Sequence, residues 1–243
     1  MDTLYVVMPA YNEEENIEAV IRQWYPVLAL GSSDSRLVIA DSGSVDKTHD
    51  IIEGMKENGY PQLEAYPDTL KQHGPKVIAL YKYAIDHGAD YVFQTDSDGQ
   101  TNPDEFTAFW EMRNAYDALF GRRVNRGDGK SRAFVEKVVC FLLRLYFGVK
   151  VKDANAPFRL FKTDVLSKYV GRFEEDYNLP NIMLTTFYAY YHENYCFRDI
   201  TFKPRQGGVN SINIKKIFKI GWAALADFRA FKKEMKAEKK RNK

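Results

Sequence analysis

The chain has 243 residues, 45% of them hydrophobic, and a net charge of only +2. That is enough to bury one sizeable core, and it excludes a disordered or uniformly basic protein. Cys140 and Cys196 are far apart and form no CxxC or Cys/His cluster, which excludes a disulfide framework or structural zinc and predicts reduced thiols in a cytoplasmic setting.

The N-terminal MDTLYVVMPAYNEEE carries an acid where a secretory leader is basic, so no leader is expected. LYVVMPA (4–10) reads as a buried strand, and Asn12 with Glu15 as the cap and reciprocal acid of a helix carrying Ile17, Val20, Ile21, Trp24 and Leu28. LVIAD (37–41) is a second strand, followed by the turn SGSVDKT and a helix with Ile51, Ile52 and Met55. LEAY (63–66) is a third strand, and Val77, Leu80, Tyr81, Ala84 and Ile85 mark the next amphipathic helix. YVFQT (91–95) is a fourth strand. Asn102, Pro103 and Glu105 then read as cap, first-turn proline and N3 acid, and DALFG (117–121) as a fifth strand. VVCFLLRLYFGV (138–149) is shorter than the ~20 residues that span a bilayer and is broken by Arg144.

Unbroken apolar strands alternating with helices predict an α/β fold with a mostly parallel sheet covered on both faces. Ligands of such sheets bind beyond the carboxyl ends of the strands. The polar clusters YNEE, DSGSVD and DSDGQ all follow strands. Asp96 and Asp98 repel each other unless a cation lies between them, and a hard divalent ion shared with substrate phosphates is the usual remedy. An EF-hand starting at Asp96 is excluded by Thr101 and Thr107, and a P-loop ending at Ser131 by Val124. GRRVNRGDGKSR (121–132) holds five basic residues against one acid, and FKPRQGGVNS (202–211) adds Arg205. Acidic pair and two arginine loops together describe a nucleoside-diphosphate site.

Six segments in order carry a resemblance: VVMPAYNEEENI, VIADSGSVDKT, QTDSDGQTNPDEF, GRRV, VKDANAPFRLFK and FKPRQGGVNS. They resemble family 2 glycosyltransferases, most closely the branch of dolichol-phosphate mannosyltransferase and bacterial polyprenyl-phosphate sugar transferases. The resemblance implies a GT-A fold, a nucleotide-sugar donor (UDP or GDP), a divalent metal (Mn²⁺ or Mg²⁺) and inversion at the anomeric carbon. By that resemblance Pro9, Tyr11 and Glu13 form the first nucleotide-binding loop and Asp41 reads the base, with Asp46 and Thr48 completing its turn. Asp96, Asp98 and Gln100 match the metal and diphosphate site. Arg123, Arg132 and Arg205 are the candidate diphosphate arginines. Asp153 and Arg159 belong to the acceptor side, with Asp153 and Asp96 the candidate catalytic acids. Departures are Ser42 for a commoner acid, PFR for GFR, and GGVNS in the late loop.

A hydroxyl acceptor needs a general base, for which Asp153 or the trio Glu174, Glu175 and Asp176 are candidates; a lipid phosphate needs none. Residues 203–243 hold thirteen Lys and Arg against three acids, a net +10, which leaves −8 on residues 1–202. The basic, apolar-studded tail predicts an amphipathic helical extension at a membrane surface. The expected organisation is a catalytic domain over 1–211 and a tail over 212–243. The expected enzyme lies on the cytoplasmic face of the membrane and uses a polyprenyl phosphate or, alternatively, a glycan hydroxyl in polysaccharide assembly. No nucleic-acid partner is expected, and self-association is left open. A sugar-1-phosphate nucleotidyltransferase would need a Gly-rich signature where PAYNEEE stands. A non-catalytic polyanion binder would be indifferent to metal and to Asp98.

Overall fold

The computed structural model describes residues 1–127, 129–205 and 214–241. Strand β1 (Leu4–Pro9) leads to α1 (Ile17–Trp24), β2 (Arg36–Ala40), α2 (Thr48–Glu57), β3 (Leu63–Ala65), α3 (His73–Asp86), β4 (Tyr91–Thr95) and α4 (Phe106–Glu111). Then follow β5 (Ala118–Arg126), α5 (Lys130–Phe147), β6 (Phe158–Lys162), α6 (Thr163–Val170), α7 (Pro180–Tyr190), β7 (Tyr195–Phe202) and α8 (Ile214–Arg241). The seven strands form one sheet in the order β3-β2-β1-β4-β6-β5-β7. Only β6 runs against its neighbours: it pairs antiparallel with β4 and β5, and the remaining pairs are parallel.

Every residue of β1 and β4 is buried, as the unbroken apolar runs required. Alternate side chains serve opposite faces. Leu4, Val6, Met8 and Phe93 join a core with α1, α2 and α4, while Tyr5, Val7 and Val92 join one with α3, α6 and α7. Trp24 anchors the first core, its ring 5.3 Å from Phe93 and 5.9 Å from Phe158. A fully buried aromatic of that size contributes about 3–5 kcal/mol against truncation to alanine.

The helix start expected at Asn12 lies further on. Asn12 adopts a left-handed φ of 54° and its Oδ1 accepts from the Val45 amide, so it ties two loops together, and α1 begins after Asn16. Asn102 does cap the short turn at Pro103, accepting from the Asp104 amide, but Glu105 accepts from the Thr201 amide across the sheet edge. The strand expected at 117–121 extends to Arg126, and β6 and β7 were not foreseen.

The boundary expected at residue 211 and the stretch Gln206–Ser211 of the late loop lie outside the described residues. From Ala224 onward α8 turns Ala224, Phe228 and Met235 into the core, and Phe231 meets Phe173, Tyr177 and Phe187. Glu238 is held by Arg172 and the Tyr191 hydroxyl. The apolar face of this part of α8 is therefore occupied by the protein itself.

Candidate active site

Three adjacent parallel strands deliver the polar clusters to one edge. Beyond β1 come Tyr11 and Glu13, beyond β2 Asp41, and beyond β4 Asp96, Asp98 and Gln100. Because β6 is antiparallel, it begins where β4 ends, with Phe158 opposite Thr95, so the loop carrying Asp153 reaches the same edge. The first two loops are stitched together. The Glu13 amide donates to Thr48 Oγ1 at 2.8 Å, the Glu14 amide to Asp46 Oδ2 at 3.1 Å, and Thr48 Oγ1 to Asp46 Oδ1 at 2.5 Å. Burial opposes ionisation of Asp46, yet the Thr48 and Glu14 hydrogen bonds outweigh it and hold its pKa below the ordinary value.

Asp41 is buried. Its Oδ2 lies 2.8 Å from His49 Nδ1, and its enclosed Oδ1 has no hydrogen-bond partner among the described residues. Beside it the Tyr11 ring is flanked by the ammonium groups of Lys71 and Lys76, at 4.7 and 5.5 Å. Lys76 is 1% exposed and donates to the Ala10 carbonyl; burial pulls its pKa down to about 8. Ser42, which stands where an acid is commoner, hydrogen-bonds Thr69.

Gly99, with φ of 72°, makes the turn that lets the Asp98 carboxylate receive the Gln100 amide. Gln100 clasps the late loop from both sides: its Nε2 donates to the Lys203 carbonyl and its own carbonyl accepts from the Lys203 amide, both at 2.8 Å. That clasp brings Arg205 to Glu13 at 2.5 Å and to Asp98 at 3.7 Å. Asp96 receives His73 Nε2 at 3.1 Å. Burial first, then the charge of Asp96, pushes the Asp98 pKa up to about 7, and burial raises that of Glu13. Glu13, Asp96 and Asp98 thus bring more negative charge to this edge than Arg205 alone offsets.

Arg123 does not reach toward the acidic pair. Its Nε and Nη2 grip both oxygens of Asp153 at 2.8 Å, and Nη2 also meets Glu136 of α5 at 3.1 Å. Asp153 further accepts from the Arg123 and Asn155 amides. The side chains are nearly closed to water, at 8% for Arg123 and 3% for Asp153. Burial and the neighbouring Asp153 charge push the Glu136 pKa upward. Arg159 is fully buried and spends its guanidinium on the carbonyls of Ala154, Ala156 and Asn181 and on Thr185 Oγ1, beneath the Phe120 ring. Arg132 is half-buried on the first turn of α5.

The donor set suits a hard divalent ion: two carboxylates and an amide can all present oxygen, and the raised pKa of Asp98 shows charge that a cation would relieve. Among the described residues no three His, Cys, Asp or Glu side chains converge into a complete cage. Substrate oxygens and water would have to supply the rest, as is usual for Mg²⁺-type sites.

Residues 5–170 match the model of glycosyl transferase family 2. The chain is a family 2 glycosyltransferase. Among relatives of this glycosyltransferase is the undecaprenyl-phosphate 4-deoxy-4-formamido-L-arabinose transferase of Pectobacterium carotovorum subsp. carotovorum. It is 24% identical over 185 residues, covering 75% of this chain and 55% of the relative. The glycosyltransferase therefore spans about half the length of that bacterial relative. The UDP-N-acetylglucosamine–dolichyl-phosphate N-acetylglucosaminyltransferase of Methanococcus voltae is 26% identical, covering 67% of this chain and 70% of the other. Glucosyl-3-phosphoglycerate synthase from Mycobacterium tuberculosis, solved with Mn²⁺ and UDP-glucose, superposes with a TM-score of 0.64 at 18% identity, covering 93% of this chain and 79% of that one. Both sequence relatives are named for sugar transfer to a polyprenyl-type phosphate, and the superposition gives this glycosyltransferase the GT-A fold.

His49, His73, Lys76 and Glu136 were missed as site residues. The histidines sit in ordinary helical and loop contexts, and Glu136 lies within the apolar run of α5. Lys76 alone left a trace, a lysine immediately preceding Val77 and Ile78 on a buried helix face.

Proposed function

We propose that this enzyme transfers a sugar, with inversion, from a UDP- or GDP-sugar to a polyprenyl phosphate at the cytoplasmic face of a membrane. The observation that carries this reading is the state of Asp153. It is the acid of the acceptor-side loop, and both its oxygens are engaged by Arg123 and by backbone amides. A carboxylate so satisfied is a poor proton acceptor, because abstraction would break a buried ion pair. An acceptor that arrives already ionised, as a lipid phosphate does, needs no base.

In this reading Tyr11 and Asp41 hold the base, and the stitched loops fix the ribose end. The phosphate oxygen attacks the anomeric carbon as its bond to the diphosphate breaks. A divalent ion held by Asp96, Asp98 and Gln100 would screen the negative charge that gathers on the leaving diphosphate. Arg205 is placed to share that work by leaving Glu13 for the phosphate oxygens, a stronger anionic partner. Asp153 and Arg159 act as positioning residues that hold the acceptor loop rigid.

Membrane contact is supported by α5. Phe134, Val138, Phe141 and Leu145 recur on one helical stripe and are 40–67% exposed. Among the described residues no helix is long and apolar enough to cross a membrane. Thermal unfolding with UDP or GDP tests the donor half of the reading. At about 100 times its dissociation constant the right nucleotide should stabilise the protein by about 2.7 kcal/mol. That gain should require Mn²⁺ or Mg²⁺ and vanish in Asp98→Ala. A folded protein indifferent to every nucleotide would overturn it.

A further inference from the structure

Helix α5 carries a single acid in its 18 residues, Glu136, and turns it inward. The side chain is 12% exposed. It stands on the face of Leu143 and Phe147, which are buried, while Phe134, Val138, Phe141 and Leu145 lie on the opposite, exposed face. A charge enclosed in this way adds little stability over an apolar residue of similar size, so its use lies in what it holds. Oε2 receives Arg123 Nη2 at 3.1 Å. Oε1 accepts the Ala154 amide at 2.6 Å and, more weakly, the Cys140 thiol at 3.4 Å.

Ala154 lies in the acceptor-side loop, and several elements converge on it. Its amide goes to α5 through Glu136. Its carbonyl accepts from Arg159 of β6 at 2.6 Å and from Thr185 of α7 at 3.1 Å. The preceding residue, Asp153, is gripped by Arg123 of β5. Glu136 is the link that ties this loop to the helix bearing the exposed apolar stripe.

We propose that Glu136 is a positioning residue of the acceptor side, fastening the loop at 153–155 to α5 so that the helix, seated on the membrane, carries the loop into register with the lipid phosphate. The inference rests on the acceptor and the membrane contact proposed above. The two faces of α5 are about 10 Å apart, one helix diameter. An interfacial helix buries its apolar face about 5–10 Å into the boundary between headgroups and acyl chains. Seating the stripe at that depth therefore sets the height of a loop bonded to the opposite face, and the acceptor phosphate lies at headgroup level. A hydrogen bond to a carboxylate is among the stronger ones, which suits it to hold a loop in place.

The test pairs hydrogen exchange with vesicle binding on the full chain, for wild type, Glu136→Ala and Glu136→Gln, each shown to be folded by its unfolding curve. Glutamine still offers the Ala154 amide an oxygen and is the conservative control. In Glu136→Ala the segment 151–156 should exchange at least about tenfold faster, while the donor-edge segment 94–100 should exchange as in wild type. Glu136→Gln should keep the slow exchange. The vesicles are matched in surface charge and contain undecaprenyl phosphate or none. Wild type should bind those with undecaprenyl phosphate at least about tenfold more tightly. Glu136→Ala should lose most of that preference, yet bind plain vesicles as wild type does, because the outer stripe is untouched. If wild type shows the preference, three results would overturn the inference and leave the acceptor reading standing. They are an unchanged preference in Glu136→Ala, a loop that exchanges no faster there, and a loop released equally in Glu136→Gln. Acceleration spread evenly over the donor edge would also overturn it, making Glu136 a general support of the fold. Wild type indifferent to undecaprenyl phosphate would overturn the acceptor reading and the inference with it.

Discussion

Arg123 serves two carboxylates, Asp153 and Glu136, in a place almost closed to water. Such a cluster gains little over an apolar replacement, but removing Arg123 takes an ion-pair partner from two buried acids. Arg123→Ala is therefore expected to lower stability by about 3–5 kcal/mol in urea unfolding. A cost below about 1 kcal/mol would mean that the cluster is open to solvent. The residue types at this site were legible from the chain alone, but their pairing was not. Asp153 and Arg123 are 30 positions apart, and only the antiparallel entry of β6 brings them together. The expectation that Arg123 grips a diphosphate treated it as a loop cation, whereas β5 runs on to Arg126 and points it at Asp153.

At the scale of elements, five strands could be read, most plainly β1 and β4, whose every side chain is buried, and with them β2, β3 and the start of β5. β6 escaped because Arg159 interrupts FRLFK, and a charge in a short apolar run reads as surface. Its guanidinium is instead satisfied by three carbonyls and a hydroxyl, which is what lets it stay inside. β7 escaped because it is an edge strand, half-exposed over Tyr195–Arg198. The run at 138–149 was legible as apolar but too short to span a bilayer, and the structure divides its surface on α5: Leu143 and Phe147 face inward, while Phe141 and Leu145 face out. A Phe141→Glu, Leu145→Glu variant should bind anionic vesicles at least about tenfold more weakly in sedimentation, since each buried apolar side chain contributes about 1.5–3 kcal/mol. Its unfolding midpoint should stay unchanged. Vesicle binding equal to wild type would assign the stripe to another partner.

Across the whole molecule, the sheet gathers acids from three loops at one edge, and folding alone does not neutralise them. The pKa of Asp98 rises from 3.8 to about 7 through burial and its neighbour Asp96. In that window the native state binds more protons than the unfolded chain, so stability falls as pH rises. Metal-free protein should therefore lose stability between pH 4 and pH 7, as measured by unfolding midpoints. Asp98→Asn, which cannot titrate, should flatten that slope. An identical slope in the variant would place the titration elsewhere.

The acceptor is tested most directly by mass spectrometry of lipid products. The enzyme is supplied with Mn²⁺, UDP- and GDP-sugars, and vesicles holding either undecaprenyl phosphate or undecaprenol. If the acceptor is an ionised phosphate that needs no base, the enzyme should glycosylate the phosphate and leave the alcohol untouched. Sugar found on the alcohol, with none on the phosphate, would contradict it.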